Sequence, residues 1–339
     1  MGKCYTIYGF CFIVIILLTL ISSGCSKKSS LPLHEKEELL PISVQLDWFP
    51  EPEHGGLYQA LAKNYFKDEG LDVRLISGGH NILVPQILAS GRAQIGQSDS
   101  NKIILAAAKG LPVNIIGAVF HNSPSGLMLH ADNPINRFEE LDGETIMGRT
   151  EALYIPYLKK KYKIAFNVIP QNFGLGQFIS NKNFIQEGFY IAEFYFIEKE
   201  GVKPKVLNFW DSGYMNSLVL AANTGFIESH SVAVDRFMHA FIKGWSEYLE
   251  GDPVSGSEAI KKANRKISRE VEDEFLDFSR KIIIRDNLAK GNKLWAENYG
   301  VLSIERIKEQ VDQLVDLEVL TEGEITATDV HVQVTSQRN

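Results

Sequence analysis

From Ile42 the chain alternates, with Ile42, Val44, Leu46 and Trp48 apolar and Ser43, Gln45 and Asp47 polar. That is the period-2 signature of a half-buried strand. The turn Pro50 to Gly56 leads into a helix with Leu57, Leu61 and Tyr65 a turn apart, ended near Gly70. Alternation returns at Leu71, Val73 and Leu75. Asn81 stands where it could cap the next helix, Ala93–Gly96 reads as a third strand, 102–109 as a helix stopped by Gly110, and Val113–Val119 as a strand. Short apolar strands alternating with helices of about ten residues predict βαβ units and a parallel sheet.

The rhythm restarts after Leu141-Asp142-Gly143. It predicts a strand at 145–147, a helix at 152–162 capped by Thr150, a strand at 166–169, a helix at 175–180 and a strand at Phe189–Ile191. From Ser231 the chain turns helical: Val234, Met238, Phe241, Trp245 and Leu249 share one face of a helix ended by Gly251-Asp252-Pro253. Further helices are expected at 256–264, 270–285 and 303–316. The expected architecture is α/β, with two lobes and C-terminal helices. One lobe comprises 42–128 and 223–320 and the other 129–222, with crossings at Leu127–His130 and Val219–Asn223. Residues 321–339 are expected to be a frayed polar tail.

The start of the chain changes the picture. Lys3, an apolar run from Ile7 to Ile21 and Ser22-Ser23-Gly24-Cys25 have the layout of an export signal over 1–24, with Cys25 as a lipidation site and new N-terminus. Ser22 stands where such sites usually carry Leu, and a plain signal peptide or a single membrane anchor is the alternative. Residues 25–41 then read as a flexible tether lifting the protein off a membrane. All three cysteines, Cys4, Cys11 and Cys25, lie in or at the end of this segment, so the remainder has no disulfide or thiolate chemistry. A net charge of −7 and the lack of a basic stripe argue against nucleic acid as a partner.

No phosphate-binding loop, nucleophile elbow or paired-histidine metal motif occurs, so no catalytic residue, cofactor or metal is expected. In open α/β sheets ligands bind beyond the carboxyl ends of strands. Asp47 and Trp48 end the first strand, with His54 in the turn that follows. Asp99 ends the third strand, and Glu193 follows the strand Phe189–Ile191 with Phe194 and Tyr195 beside it. Aromatic faces with a few carboxylates suit a flat, nitrogen-rich heterocycle. Each has a plainer alternative: Trp48 as core, His54 and Asp99 as helix caps, Glu193 as a solvated carboxylate. Ser125, in the loop Asn122–Gly126, is a further candidate. Lys159-Lys160-Lys161 reads as a solvated helix face on which a transporter subunit could dock.

The stretch Leu46-Asp47-Trp48-Phe49-Pro50-Glu51-Pro52-Glu53-His54-Gly55-Gly56-Leu57-Tyr58-Gln59-Ala60 resembles the opening motif of the thiamine-pyrimidine family. That family joins solute-binding proteins of bacterial ABC importers to eukaryotic pyrimidine synthases. Tyr65-Phe66, Gly70–Val73, Ser90–Gly96, Lys109–Val113, Leu141–Gly143 and Gly188–Glu193 continue the resemblance over about 42–250. It implies a type II periplasmic-binding fold, two α/β lobes closing on ligand, with Trp48, His54 and Glu193 at pocket positions. Glu51 and Asn183 depart from the residues common there. The expected function is a monomeric, lipid-anchored solute-binding protein that passes a thiamine-precursor aminopyrimidine to a permease and ATPase. A sulfonate, nitrate or riboflavin is the alternative ligand. A ligand-sensing partner of a membrane receptor is the alternative role. In the synthase branch the histidine matching His54 is consumed as a substrate and a cysteine-rich iron motif is needed, which this chain lacks.

Overall fold

The computed structural model describes residues 38–267, 269–286 and 300–334. The expected signal, Cys25 and most of the tether lie outside them. Ten strands form two five-stranded sheets. The first contains β1 (Leu40–Gln45), β2 (Leu71–Ile76), β3 (Ile95–Asp99) and β4 (Val113–Phe120). The second contains β5 (Ser125–His130), β6 (Thr145–Gly148), β7 (Asn167–Pro170), β8 (Ile185–Phe189) and β9 (Pro204–Asn208). The chain then returns to lay β10 (Leu218–Asn223) in the first sheet, whose order is β2-β1-β3-β10-β4; the second runs β7-β6-β8-β5-β9. In each sheet four strands run in one direction, and one inserted strand, β10 or β5, runs antiparallel to both neighbours.

The passages between sheets therefore fall at 121–124 and 209–217. Leu127–His130 and Val219–Asn223, where the sequence places the crossings, lie inside β5 and β10. Both strands are buried on both faces and show no alternation, which hides them from a period-2 reading.

Helices cover both faces of the first sheet. On one side are α1 (Gly55–Ala62) and α2 (Tyr65–Asp68), and on the other α3 (Val84–Ala89) and α4 (Ser100–Ala108). The second sheet carries α5 (Tyr154–Tyr162), α6 (Gly176–Ser180) and α7 (Tyr190–Lys199). After α8 (Thr224–Ser229), the 20-residue α9 (Ser231–Glu250) buries Val234, Met238, Phe241, Trp245 and Leu249, the face its periodicity predicts. It crosses α1 closely: a Cβ on Gly244 would stand 2.2 Å from the Gly56 carbonyl oxygen. Then come α10 (Val254–Arg265), α11 (Asp273–Ile284) and α12 (Ile304–Asp316), the last packing Ile307, Val311 and Leu314 into the core it shares with α3 and α4.

Local details depart from expectation. Asn81 and Thr150 cap nothing; α3 and α5 begin after Leu83 and Leu153, neither with a side-chain cap. The frayed tail is in part ordered, because Ile325, Ala327 and Val330 are buried beside α4 and β4. Val332 N–H donates to the Ile115 carbonyl at 3.0 Å and Ala118 N–H to that of Gly300 at 2.9 Å, covering the β4 edge.

Candidate functional site

Residues at or just past strand carboxyl ends bring the two lobes together: Asp99, ending β3, meets Arg149 just past β6, and Trp48, after β1, meets Phe173, after β7; the space between them is the candidate cleft. From the first lobe comes Asp47, its side chain 28% exposed. Its Oδ1 accepts from Gln97 Nε2 at 3.2 Å and lies 3.1 Å from His54 Nε2. His54 is fully buried, and its Nδ1 accepts from the Glu51 backbone N–H at 3.3 Å. With Nδ1 an acceptor, Nε2 carries the proton and donates to Asp47. Both histidine nitrogens are thus committed, and His54 orients Asp47 toward the cleft.

Trp48 is half-buried. Its ring packs edge-on to His80 with centroids 4.7 Å apart and tilts against Phe173 of the second lobe at 5.4 Å. Phe173 holds a left-handed backbone (φ 60°), a conformation that costs an aromatic residue energy. Three residues on from Trp48, the Glu51 carboxylate pairs with Arg269 Nη2 at 2.8 Å.

From the second lobe, Arg149 follows β6 directly. Its guanidinium bonds Glu187 at 2.6 Å and its backbone N–H donates to the same carboxylate at 2.7 Å. Its Nη1 also reaches Asp99 of the first lobe at 3.6 Å, so one cation spans the cleft. Glu187 and, after it, Asp99 keep Arg149 charged against the cost of burial. Burial by itself would raise the Asp99 carboxyl, but Lys102 and Arg149 outweigh it and hold it down at about 2. With Asn216 Nδ2 also donating at 3.0 Å, Asp99 is a saturated carboxylate that joins the lobes.

Glu193 lies in the first turn of α7, since β8 ends at Phe189; the predicted strand Phe189–Ile191 is a strand-to-helix junction. Its Oε2 folds back to accept from the Phe189 N–H at 3.0 Å. Burial, with Glu51 and Glu187 nearby, outweighs those backbone bonds and pushes the carboxyl up to about 8. Glu53 is buried, and its Oε2 has no partner among the described residues. Burial first, then Glu51, Asp47 and Glu193, hold it well above the carboxylate range. Asp47 and Glu193 thus lie close enough to Glu53 to raise it, while Arg149 and Arg269 are already paired with Glu187 and Glu51.

The remaining candidates lie in different settings. Ser125 sits opposite Phe189 in the β5–β8 ladder, its hydroxyl donating to Ser123 Oγ at 3.2 Å. Tyr195 turns to α11, donating to Glu272 at 2.5 Å and packing on Phe275 and Phe278, so it belongs to a helix contact. The lysine run is largely engaged: Lys159 lies over Phe166, Lys160 pairs with Asp316, and Lys161 bonds Tyr157 and Ser212. Glu53, Phe173, Arg149 and Glu187 escaped the sequence reading. Arg149 could have been found by the logic that found Asp99, as the residue just past a predicted strand. Among the described residues no group of three or more His, Cys, Asp or Glu could hold a metal ion.

Two α/β lobes joined by two passages define the periplasmic-binding-protein fold. The aliphatic sulphonate binding protein of Escherichia coli shares this fold, with a TM-score of 0.64 at 10% identity over 89% of this chain and 94% of that one. Residues 51–254 match the family described as NMT1/THI5 like, and the chain belongs to that family. It is 27% identical over 281 residues to the formylaminopyrimidine-binding protein of Halalkalibacterium halodurans, covering 79% of this chain and 84% of that protein. It is 24% identical over 291 residues to the 4-amino-5-hydroxymethyl-2-methylpyrimidine phosphate synthase of Aspergillus parasiticus, covering 76% and 81%.

Proposed function

We propose that this chain is the solute-binding component of an ABC importer and captures an amine-bearing pyrimidine. The observation that carries this is the pair of carboxyls on His54, Asp47 at 3.1 Å and Glu53 at 3.8 Å, with the half-buried Trp48 next in the chain and Glu193 near enough to raise Glu53. A carboxyl held protonated near neutral pH can donate its O–H to a ring nitrogen and accept from the adjacent amino group. A carboxylate facing a protonated ring makes the same two-point pair with the proton on the other partner. Trp48 supplies an aromatic edge and face. Sulfonate or nitrate would meet carboxylates, with the nearby guanidinium groups already neutralised, and an anion there is repelled. The name of the Halalkalibacterium relative points to the same ligand class.

The alternative of another class is a pyrimidine-forming enzyme with His54 as reactant, as the names of the fungal relatives suggest. Two observations weigh against it. All three cysteines lie at or before residue 25, so the iron motif of that branch has no counterpart. His54 is sealed from solvent with both nitrogens bonded. In the transport reading the protein works outside the cytoplasmic membrane, anchored through Cys25, and delivers ligand as a monomer to permease and ATPase subunits. Ligand favours the closed lobes through contacts that only this state completes.

The test is thermal unfolding of residues 26–339 with formylaminopyrimidine, 4-amino-5-hydroxymethyl-2-methylpyrimidine, thiamine, riboflavin, an alkanesulfonate and nitrate. A ligand at 100 times its Kd adds about 2.7 kcal/mol. A raised midpoint with an aminopyrimidine, lost in Glu193→Ala, is the expected result. A shift with the sulfonate or nitrate alone overturns the ligand class. Loss of the His54 imidazole during incubation overturns the transport reading.

A further inference from the structure

Helix α12 grips both inter-lobe passages with one face. Arg306, Gln310 and Gln313 are spaced four and three residues apart, which aligns them along that face. Arg306 reaches the first passage, donating to the His121 carbonyl and, at 2.6 Å, to Asn122 Oδ1. The same guanidinium reaches the second passage, Nε lying 3.2 Å from Ser217 Oγ. Gln310 Nε2 donates to that hydroxyl at 3.0 Å, and the hydroxyl donates to the His121 carbonyl at 2.7 Å, tying passage to passage. One turn on, Gln313 holds the second passage twice: Oε1 accepts from Met215 N–H at 2.8 Å and Nε2 donates to the Gly213 carbonyl at 3.0 Å. Asp316, the last residue of α12, pairs with Lys160 on α5 of the second lobe at 3.0 Å. The apolar face of the helix is meanwhile fixed to the first lobe by Ile307, Val311 and Leu314.

Any rotation of one lobe against the other must be absorbed in 121–124 and 209–217, the only backbone between the sheets among the described residues. The bonds above hold these segments in the geometry where Arg149 reaches Asp99 and Phe173 meets Trp48 across the cleft. We propose that α12 is a hinge clamp that biases the two lobes toward closure, with Arg306 as the positioning residue that sets ligand affinity without touching ligand. The proposal rests on the reading that the lobes close on a solute, but not on which solute.

The experiment compares the full mature protein with Arg306→Met, Arg306→Lys and Gln313→Ala by amide hydrogen exchange and small-angle scattering without ligand. Affinity for 4-amino-5-hydroxymethyl-2-methylpyrimidine is measured alongside. Arg306→Met should speed exchange at both 121–124 and 213–217, enlarge the radius of gyration and weaken affinity about tenfold, mainly through faster release. Arg306→Lys should recover part of each change. Gln313→Ala, which loses contacts to the second passage alone, should speed exchange at 213–217 and leave 121–124 as it was; it keeps the test open should Arg306→Met fail to fold. Wild-type exchange and scattering in folded variants overturn the proposal, and so does weaker binding with both unchanged. Because scattering and exchange need no ligand, a pyrimidine that fails to bind sinks the ligand assignment and leaves the clamp to be decided by these two measurements.

Discussion

Replacing Glu193 by Gln should change how stability depends on pH, and the structure fixes both sign and scale. In the unfolded chain this carboxyl titrates near 4.5, and in the folded protein at about 8. Between these values the folded state binds more protons than the unfolded one, so folding stability falls as pH rises through that window. At about 1.4 kcal/mol per pH unit the full loss is capped near 5 kcal/mol. Water reaching the half-buried side chain brings the expected figure to about 2 kcal/mol. Gln keeps the size and can still accept from the Phe189 N–H, but it carries no proton to lose. Urea unfolding of ligand-free protein from pH 5 to 9 should therefore find the variant close to wild type at pH 5 and about 2 kcal/mol more stable at pH 9. Glu53 titrates in the same direction in both proteins; burial and Glu51, its largest causes, are common to both, and only the smaller push from Glu193 is removed. Parallel curves, or a wild-type advantage that grows with pH, would refute a proton held at this position.

Three further outcomes follow from the packing and pairing. Arg149→Met strands Glu187 as a buried carboxylate and should cost about 3–5 kcal/mol in unfolding free energy; an unchanged thermal midpoint would contradict the pairing. Gly244→Ala drives a methyl group into the Gly56 carbonyl and should destabilise by about 1–3 kcal/mol or more, read by chemical denaturation, whereas a neutral result would show that α1 and α9 can part without cost. His54→Ala and Asp47→Asn should weaken pyrimidine binding to a similar degree in calorimetry, since His54 acts through Asp47; a loss confined to His54→Ala would mean direct contact with ligand.

How much of this was legible in the chain depends on burial. Strands with one wet face announced themselves: Leu71, Val73 and Leu75 alternate and are β2. Strands buried on both faces did not, which is why β5 and β10 were read as crossings. At Phe189–Ile191 a short apolar run fits strand or helix equally, and the structure divides it between β8 and α7. Glu193, just past that run, lies in the first turn of α7 with its carboxylate on the Phe189 N–H. The rule that ligands meet strand carboxyl ends points to Asp47, Trp48 and Asp99, but pairing is a property of three dimensions. Nothing local to Asp99 says that Arg149 would neutralise it, or that Tyr195 would turn to Glu272 fifty and more residues on. Likewise Ile325, Ala327 and Val330 are buried in a stretch whose polarity hides its anchoring side chains.

The position of β10 carries a consequence for how the molecule is built in time. The first sheet has a gap between β3 and β4 until residues 218–223 arrive, after the whole of the second sheet has been made. The strands of the second sheet come from one unbroken stretch, 125–208, and can assemble as that stretch emerges. The first lobe is left with distant pairings, Ile95 with Ala222 and Val113 with Asn223, so its closure is the late, slow event of folding. A chain with such an order leaves the half that carries Asp47, Trp48 and His54 unfinished longest, and any partner that must handle it unfolded has its widest interval there.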